Sequence, residues 1–135
     1  MMSILDLIPQ RPPIVMVDSF LGLENGRSST QFLITEENIF VDDHILSECG
    51  VIEHIAQSAA ARVGFIFQNN GEQIPIGYIG SVNNFQLYVL PQVGNRLETN
   101  IEIIQEVFNI SLIEAVCMVG DVKIASCRMK IYLDK

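Results

Sequence analysis

Apolar and polar positions follow two different periods along the chain, and the places where the period changes divide it into elements. Residues 14–23 and 27–35 are rich in strand-forming side chains, and the Asn25-Gly26 pair between them predicts a hairpin. Residues 49–69 carry apolar side chains at helical spacing, with Ser47 as a suitable N-cap. Strands are predicted again at residues 76–89, 97–107, 110–119 and 122–133.

This order of two strands, one long helix and four strands predicts an α+β fold. The helix consists mainly of apolar and small residues, with alanines at positions 56, 59, 60 and 61, so it needs burial on most sides. One antiparallel sheet wrapped around the helix provides that burial, which is the hotdog arrangement. We therefore expect one hotdog domain over residues 1–135, with residues 36–47 as a loop before the helix. Such a sheet has open edges, and a second copy would cover one of them, so a homodimer is expected.

Composition and charge exclude several classes of function. The net charge of −8 repels phosphate backbones, so we expect no nucleic-acid partner. No apolar run reaches the roughly 18–20 residues of a spanning helix, and residues 1–10 lack the pattern of a secretory signal. These features favour a cytoplasmic protein with no membrane span. The three cysteines are expected to be free thiols, with Cys117 opposite Ile124 in the last hairpin and out of register for a bond to Cys127.

Two ionisable side chains near the start of the helix are the candidates for chemistry. Glu53 lies in the first turns of a helix built otherwise of apolar and small residues, where burial would keep the carboxyl protonated unless it finds a partner. His44 lies in the preceding loop, and a neutral carboxylic acid beside an imidazole forms an acid–base pair. Structural roles stay open for both, because glutamate complements the dipole at a helix N-terminus and a loop histidine can simply satisfy a hydrogen bond.

His54 is a rival for the role of His44. It lies about 100° around the helix from Glu53 and shares a stripe with Ser58 and Arg62. We expect this polar stripe to face solvent or a partner subunit rather than to act in catalysis.

The N-terminus of the helix offers free backbone N–H groups, which can hold a developing negative charge. Those around Cys49, Gly50 and Val51 are candidates to bind the oxygen of a thioester carbonyl. Gly50 has no side chain, so a substrate would be able to approach the backbone closely. We expect Cys49 to be a small buried residue rather than a nucleophile.

Five segments, in order along the chain, resemble signatures of the FabZ-type 3-hydroxyacyl-carrier-protein dehydratases. They are residues 8–18 (IPQRPPIVMVD), 53–59 (EHIAQSA), 77–85 (GYIGSVNNF), 90–97 (LPQVGNRL) and 120–125 (GDVKIA). In detail the chain is most similar to the subgroup found with aryl polyene pigment pathways, the ApeP-like dehydratases. One difference is that residues 44–50 (HILSECG) replace the family's His-Phe-Pro-Gly segment and shorten the spacing between His44 and Glu53.

The resemblance implies an activity and two catalytic residues. The activity is dehydration of 3-hydroxyacyl thioesters on acyl carrier protein to 2-enoyl thioesters, in fatty acid or polyene biosynthesis, with no metal or organic cofactor. By position, His44 matches the histidine that acts on C2 of the substrate. Glu53 matches the acid on the partner subunit's helix that helps the C3 hydroxyl leave.

The resemblance also implies binding residues and partners. Gly50 or Val51 matches the backbone donor to the thioester oxygen, and Gln57 and Gly80 are further substrate-binding positions. The expected assembly is a homodimer or a larger assembly of dimers. Because carrier proteins are acidic, docking requires a local basic patch. The candidate basic residues are Arg11, Arg27, Arg62, Arg96, Lys123, Arg128 and Lys130.

Two alternative functions fit the same sequence. In a hotdog thioesterase, Glu53 or one of Asp42 and Asp43 would activate water, and His44 would be dispensable. In a catalytically silent subunit, the chain would bind acyl chains or complete a heterodimer. Whether His44 and Glu53 meet across a dimer separates these alternatives from the dehydratase.

Overall fold

The elements lie close to where the sequence predicts them. The computed structural model describes residues 3–134. A short 3-10 turn at Ile4–Asp6, capped by Ser3, comes first. The strands are β1 (Ser19–Glu24), β2 (Arg27–Leu33), β3 (Val41–Asp42), β4 (Ile45–Leu46), β5 (Ile76–Leu87), β6 (Arg96–Val107), β7 (Ile110–Val119) and β8 (Val122–Asp134), and the helix α1 (Glu48–Asn69) lies between β4 and β5.

Six of the strands form one antiparallel sheet, and α1 packs against it. The strand order is β1-β2-β6-β7-β8-β5, so β1 and β5 are the two edges. The core between helix and sheet includes Val51, Ile55 and Ala59 of α1 and Leu97 and Ile101 of β6. The predicted α+β arrangement, an antiparallel sheet around one long helix, is confirmed. Residues 3–134 contain no helix long and apolar enough to span a membrane.

Local chemistry fixes both ends of α1. The Ser47 hydroxyl accepts a hydrogen bond from Gly50 N at 3.2 Å, as an N-cap does. The helix ends at Asn69 with Asn70 as its C-cap, and Gly71 follows with φ +70°, a conformation that glycine adopts without strain. Both ends therefore agree with the prediction to within a residue.

The first strand begins later than predicted, because the segment before it bonds to the helix. Gln57 accepts a hydrogen bond from Met16 N at 2.6 Å and donates one to Ile14 O at 2.8 Å. His54 Nδ1 lies 2.7 Å from Met16 O. Backbone groups bonded to helical side chains cannot join a strand ladder, so β1 starts only at Ser19.

The loop predicted over residues 36–47 contains one short strand pair. Val41 pairs with Leu46 and Asp42 with Ile45, forming the two-residue strands β3 and β4. Asp43 and His44 make the turn between them, with φ +51° and +64°. Two-residue strands carry no detectable period, which is why the pattern of polarity indicated only a loop.

The closing hairpin differs from its predicted register. A register shift between Cys117 and Met118 places Cys117 opposite Ala125 rather than Ile124, and Cys127 opposite Ala115. Cys117, Cys127 and Cys49 are all free, as predicted. Burial raises the pKa of both the Cys117 and the Cys127 thiols to about 11, so both are poor nucleophiles.

Candidate functional site

An apolar groove runs between α1 and the edge strand β5. Its volume is about 320 Å³. The helix side consists of Glu53 and small or apolar residues at one-turn spacing, and the sheet side comes from β5 and β8. The helix residues are Glu53, Ala56, Ala59, Ala60 and Val63, and those of the sheet are Gly77, Tyr78, Ile79, Ile131 and Leu133. The groove thus combines one carboxyl group with a long apolar wall.

A buried amide holds the Glu53 carboxyl at the groove. Gln57 lies one turn after Glu53 on α1, is fully buried, and donates from Nε2 to Glu53 Oε2 at 2.7 Å. The same amide group is fixed by Ile14 O and Met16 N, so it cannot turn away without losing these bonds. Glu53 itself is half-buried. The structure therefore brings these two predicted site residues together. Gln57 does not line the groove but positions Glu53 through this hydrogen bond.

His44 lies at the surface, outside this groove. Its side chain is 73% exposed, and Nδ1 lies 2.8 Å from Glu36 Oε2. Glu53 lines the groove, whereas His44 does not. A single chain therefore does not bring the two predicted catalytic side chains into one cavity, and a shared site requires His44 of a second chain.

His54 occupies a fully buried site, which excludes it as an accessible base. Nδ1 lies 2.7 Å from Met16 O and Nε2 lies 2.8 Å from Thr99 Oγ1. Because a carbonyl only accepts, Nδ1 carries the proton and Nε2 accepts from the Thr99 hydroxyl. Burial lowers the pKa of His54 to about 4, with the bond to Met16 opposing the shift in part. His54 is therefore a neutral core residue at physiological pH.

The prediction that the polar stripe of α1 faces solvent or a partner is wrong. Ser58 Oγ lies 2.7 Å from Thr30 Oγ1, and Arg62 donates to Ile101 O at 3.1 Å. Together with His54, these side chains face the inner surface of β2 and β6. The sheet supplies polar partners at Thr30 and Thr99, so the stripe can be buried without unpaired hydroxyl groups. The threonines at inward-facing strand positions were the feature of the sequence that could have indicated a buried polar stripe.

The helix N-terminus is more occupied than the sequence suggests. Gly50 N donates to Ser47 Oγ at 3.2 Å, and Val51 N donates to Ser47 O at 3.1 Å. A Cβ at Gly50 would lie 2.7 Å from the Leu46 side chain, so packing by itself accounts for glycine here. Cys49 is exposed, which corrects the prediction that it is buried. Its position in the first turn of α1 points it away from the core.

Gly80 lies on β5 but does not line the groove. The register between β5 and β8 shifts between Ile79 and Ser81, with Gly80 at the irregularity. A Cβ on Gly80 would lie 2.1 Å from the Tyr132 ring, so the aromatic side chain occupies the space beside it. The substrate-binding role predicted for Gly80 stays a prediction.

A helix, a wrapped sheet and a carboxyl-bearing apolar groove are the features expected of a hotdog dehydratase. The family model for the ApeP-like dehydratases, described as ApeP dehydratase, matches residues 2–135. The chain belongs to the ApeP-like dehydratase family. The predictions of a dehydratase, of the hotdog fold and of this subgroup are thereby confirmed.

Individual relatives agree with the assignment of the chain to the ApeP-like dehydratase family. The 3-hydroxyacyl-[acyl-carrier-protein] dehydratase FabZ of Pediococcus pentosaceus is 27% identical over 133 residues, covering 94% of this chain and 87% of that protein. The dehydratase heterocomplex ApeI:P of Xenorhabdus doucetiae is similar in fold, with a TM-score of 0.91 at 13% identity, covering 100% of this chain and 93% of that chain. A hypothetical thioesterase of Streptococcus pneumoniae, solved with coenzyme A, is less similar, with a TM-score of 0.68 at 6% identity and coverage of 86% and 84%.

The basic residues of this ApeP-like dehydratase divide into paired and unpaired groups. Arg27 pairs with Glu102 and Arg128 with Glu114, while Arg62 is buried. The exposed basic residues without a carboxylate partner in the described part of the chain are Arg11, Arg96, Lys123 and Lys130. Arg11 directly follows Pro9 and Gln10, which line the groove, and its guanidinium donates to Ile8 O and Gln10 O.

Proposed function

We propose that this ApeP-like dehydratase converts 3-hydroxyacyl thioesters on acyl carrier protein to 2-enoyl thioesters, with the acyl chain lying in the groove between α1 and β5. The observation that carries the proposal is the Glu53 carboxyl, which is fixed by Gln57 and lines a mainly apolar groove. Apolar walls suit an acyl chain, and a single oriented carboxyl suits proton transfer at one carbon of it. The 27% identical FabZ is named for this reaction.

The proposed elimination uses one base and one acid. The imidazole of His44, contributed by the second chain, takes a proton from C2. The electron pair of the broken C2–H bond delocalises onto the thioester oxygen and then forms the C2–C3 double bond. Glu53 gives a proton to the C3 hydroxyl, which leaves as water. The substrate loses one proton and one hydroxide, and proton transfer from His44 to Glu53 through water resets the pair.

Stabilisation of the thioester oxygen requires a small local change. Of the two candidate donors, Val51 N already donates to Ser47 O within the helix, so Gly50 N is the proposed donor, free for the substrate once the Ser47 hydroxyl turns away from it. Hydrogen bonds aimed at a developing oxyanion contribute strongly in a water-poor site. A Ser47→Ala variant therefore tests whether the cap competes with the substrate.

A homodimer formed along β5 completes the proposed site. Within residues 3–134, β5 pairs only with β8, so its outer edge presents free backbone groups. Apolar side chains on this strand are exposed, including Ile76 (61%), Tyr78 (54%) and Val82 (38%). Pairing with a second copy along this edge would cover them and bring the second chain's loop, with His44, to the groove.

The dimer has its own test. A Val82→Lys substitution places a charge on the exposed edge, outside the residues that line the groove. In light scattering after size exclusion, the unmodified protein should run as a dimer and the variant as a monomer without activity. A dimer unaffected by the variant, or an active monomer, would overturn this arrangement.

The reaction is tested by mass analysis of the carrier-bound product. The protein is incubated with 3-hydroxyacyl carrier protein, and loss of one water per carrier is the expected result. Glu53→Gln should lower kcat/KM by about 100-fold or more, while the matched Glu48→Gln, an exposed carboxyl in the first turn of α1, should not. For the base, His44→Ala should lose activity, whereas Glu36→Gln changes only the hydrogen-bond partner of His44 Nδ1. Release of free acid with His44→Ala still active would instead support a thioesterase using Glu53, Asp42 or Asp43.

A catalytically silent subunit is the second candidate function. His44 is exposed and bound to Glu36, and the helix N–H groups are satisfied by Ser47, so one chain by itself lacks an assembled base and oxygen site. The similar Xenorhabdus doucetiae structure is a dehydratase heterocomplex. If the purified protein is dimeric yet inactive on every carrier-bound substrate, and a second dehydratase chain restores turnover that Glu53→Gln does not alter, this alternative replaces the homodimer.

A further inference from the structure

A second cavity lies farther along α1, directly behind the groove. Its volume is about 250 Å³. It shares four lining residues with the groove, Ala59 and Val63 of α1 and Ile131 and Leu133 of β8. The two spaces are therefore adjacent compartments with part of their lining in common, rather than cavities on different sides of the molecule.

The far wall of this second cavity is polar, unlike the groove. Arg62 and Glu106 line it together with Ser111, whose hydroxyl lies 3.2 Å from Glu106 Oε2. Arg62 is only 6% exposed, and one terminal nitrogen donates to Ile101 O at 3.1 Å. Its Nε is buried and has no acceptor within residues 3–134. A buried guanidinium with an unused donor is costly unless an acceptor reaches it.

The position of Arg62 sets a length scale for what can reach it. Arg62 lies nine residues after Glu53 on the same helix, which corresponds to about 13 Å along the axis. A carbon chain advances about 1.3 Å per bond. A chain of about ten carbons beyond the reacting centre therefore spans from Glu53 to Arg62.

We propose that the second cavity receives the distal end of the acyl chain, and that Arg62 selects chains ending in a neutral hydrogen-bond acceptor such as a hydroxyl. This inference rests on the proposed function. A neutral oxygen suits the site better than an anion, because the carboxyl group of Glu106 lines the same cavity as Arg62 and would repel a second negative charge. A methyl end would enter the cavity but leave the Arg62 donor unused.

Comparison of two substrates in the unmodified protein provides the main test. Carrier-bound 3-hydroxyacyl chains of about thirteen carbons, about ten of them beyond C3, are dehydrated separately, one ending in a methyl group and one in a hydroxyl, and kcat/KM is measured by mass. The hydroxyl-ended chain should be favoured by about tenfold, the scale of one hydrogen bond to a charged group. Equal values for the two chains would overturn the inference while leaving the proposed function intact. If neither of these chains and no chain of about six carbons is dehydrated, the proposed function itself fails.

Variants identify the residue responsible. Arg62→Met keeps an unbranched side chain of similar length without donors, and should bring the ratio between the two substrates close to one. The matched control, Arg96→Met, removes an exposed arginine of β6 and should keep the ratio of the unmodified protein. Val63→Phe, at the boundary between the compartments, should lower kcat/KM for the long chains more than for the short one. A preference for the hydroxyl end that persists in Arg62→Met would show that another group selects it.

Discussion

Acidification should destabilise the protein through His54, whose burial depends on its being neutral. The imidazole is fully buried, and burial lowers its pKa from 6.5 to about 4. Between these two values the unfolded chain binds a proton that the folded chain does not, so the free energy of unfolding falls as the pH falls. The contribution is fully present above pH 6.5 and is lost progressively toward pH 4.

The magnitude follows from the width of this window. Each pH unit between the two pKa values changes the free energy of unfolding by about 1.4 kcal/mol. Across the window from 6.5 to about 4, protonation of His54 thus removes about 3 kcal/mol. That is a substantial fraction of the roughly 5–15 kcal/mol that stabilises a typical domain.

Urea unfolding at fixed protein concentration, repeated from pH 7.5 to about 4.5, measures the effect. Carboxylates also contribute to acid destabilisation, so the comparison between variants isolates His54. His54→Gln should show a shallower fall in unfolding free energy than the unmodified protein. The matched control His44→Gln removes the exposed imidazole and should keep the steep fall, because His54 remains buried.

The reasoning is refuted if His54→Gln and the unmodified protein lose unfolding free energy in parallel over this range. If the glutamine variant does not fold, the ring signals of His54 in the unmodified protein decide the matter. NMR should show no protonation of this imidazole above about pH 5 in the folded state. Titration near 6.5 while the protein remains folded would contradict the buried, neutral state.

Three further predictions follow from other contacts. Gln57→Leu should lower kcat, measured by steady-state kinetics, because it releases the Glu53 carboxyl. The same change should lower the free energy of unfolding by about 1–3 kcal/mol, measured by urea unfolding, because Met16 N loses its acceptor. Gly64→Ala should lower the free energy of unfolding by about 1–3 kcal/mol, since the added Cβ would lie 2.1 Å from the Leu7 carbonyl oxygen, and an unchanged urea midpoint would contradict it. Arg11→Glu should raise KM for carrier-bound substrate several-fold with kcat maintained, if the carrier docks at the groove rim; Lys123→Glu is the matched control, and equal effects of both would argue against a local docking site.

The candidate site was only partly predictable. Glu53 was identifiable because a carboxyl among alanines and isoleucines on one helix is unusual, and the structure places it on the groove. The role of Gln57 as the side chain that fixes Glu53 was not derivable from spacing alone, since its other two partners, Ile14 and Met16, lie about forty residues away in sequence. His44 lies in a turn with two positive φ values, and nothing in the local pattern places such a side chain relative to a groove built by distant strands.

The sequence by itself determined the elements whose signals are local. Helical spacing from Cys49 onward, the Ser47 cap and the Asn25-Gly26 turn each depend on residues within a few positions, and each structural feature forms where it is predicted. The same pattern identified which side chains share a face of α1. It did not determine what packs on that face, because periodicity describes one element and packing involves two.

Tertiary structure alone decided the environment of the polar stripe and the start of β1. His54 is buried because Thr99, forty-five residues later, supplies a donor, and the backbone near Met16 supplies an acceptor. The bonds of the helix side chains to Ile14 and Met16 hold this segment against α1 and delay the first strand to Ser19. Hydrogen-bond satisfaction in a closed core is a property of the assembled layers, so it becomes visible only when helix and sheet are placed together.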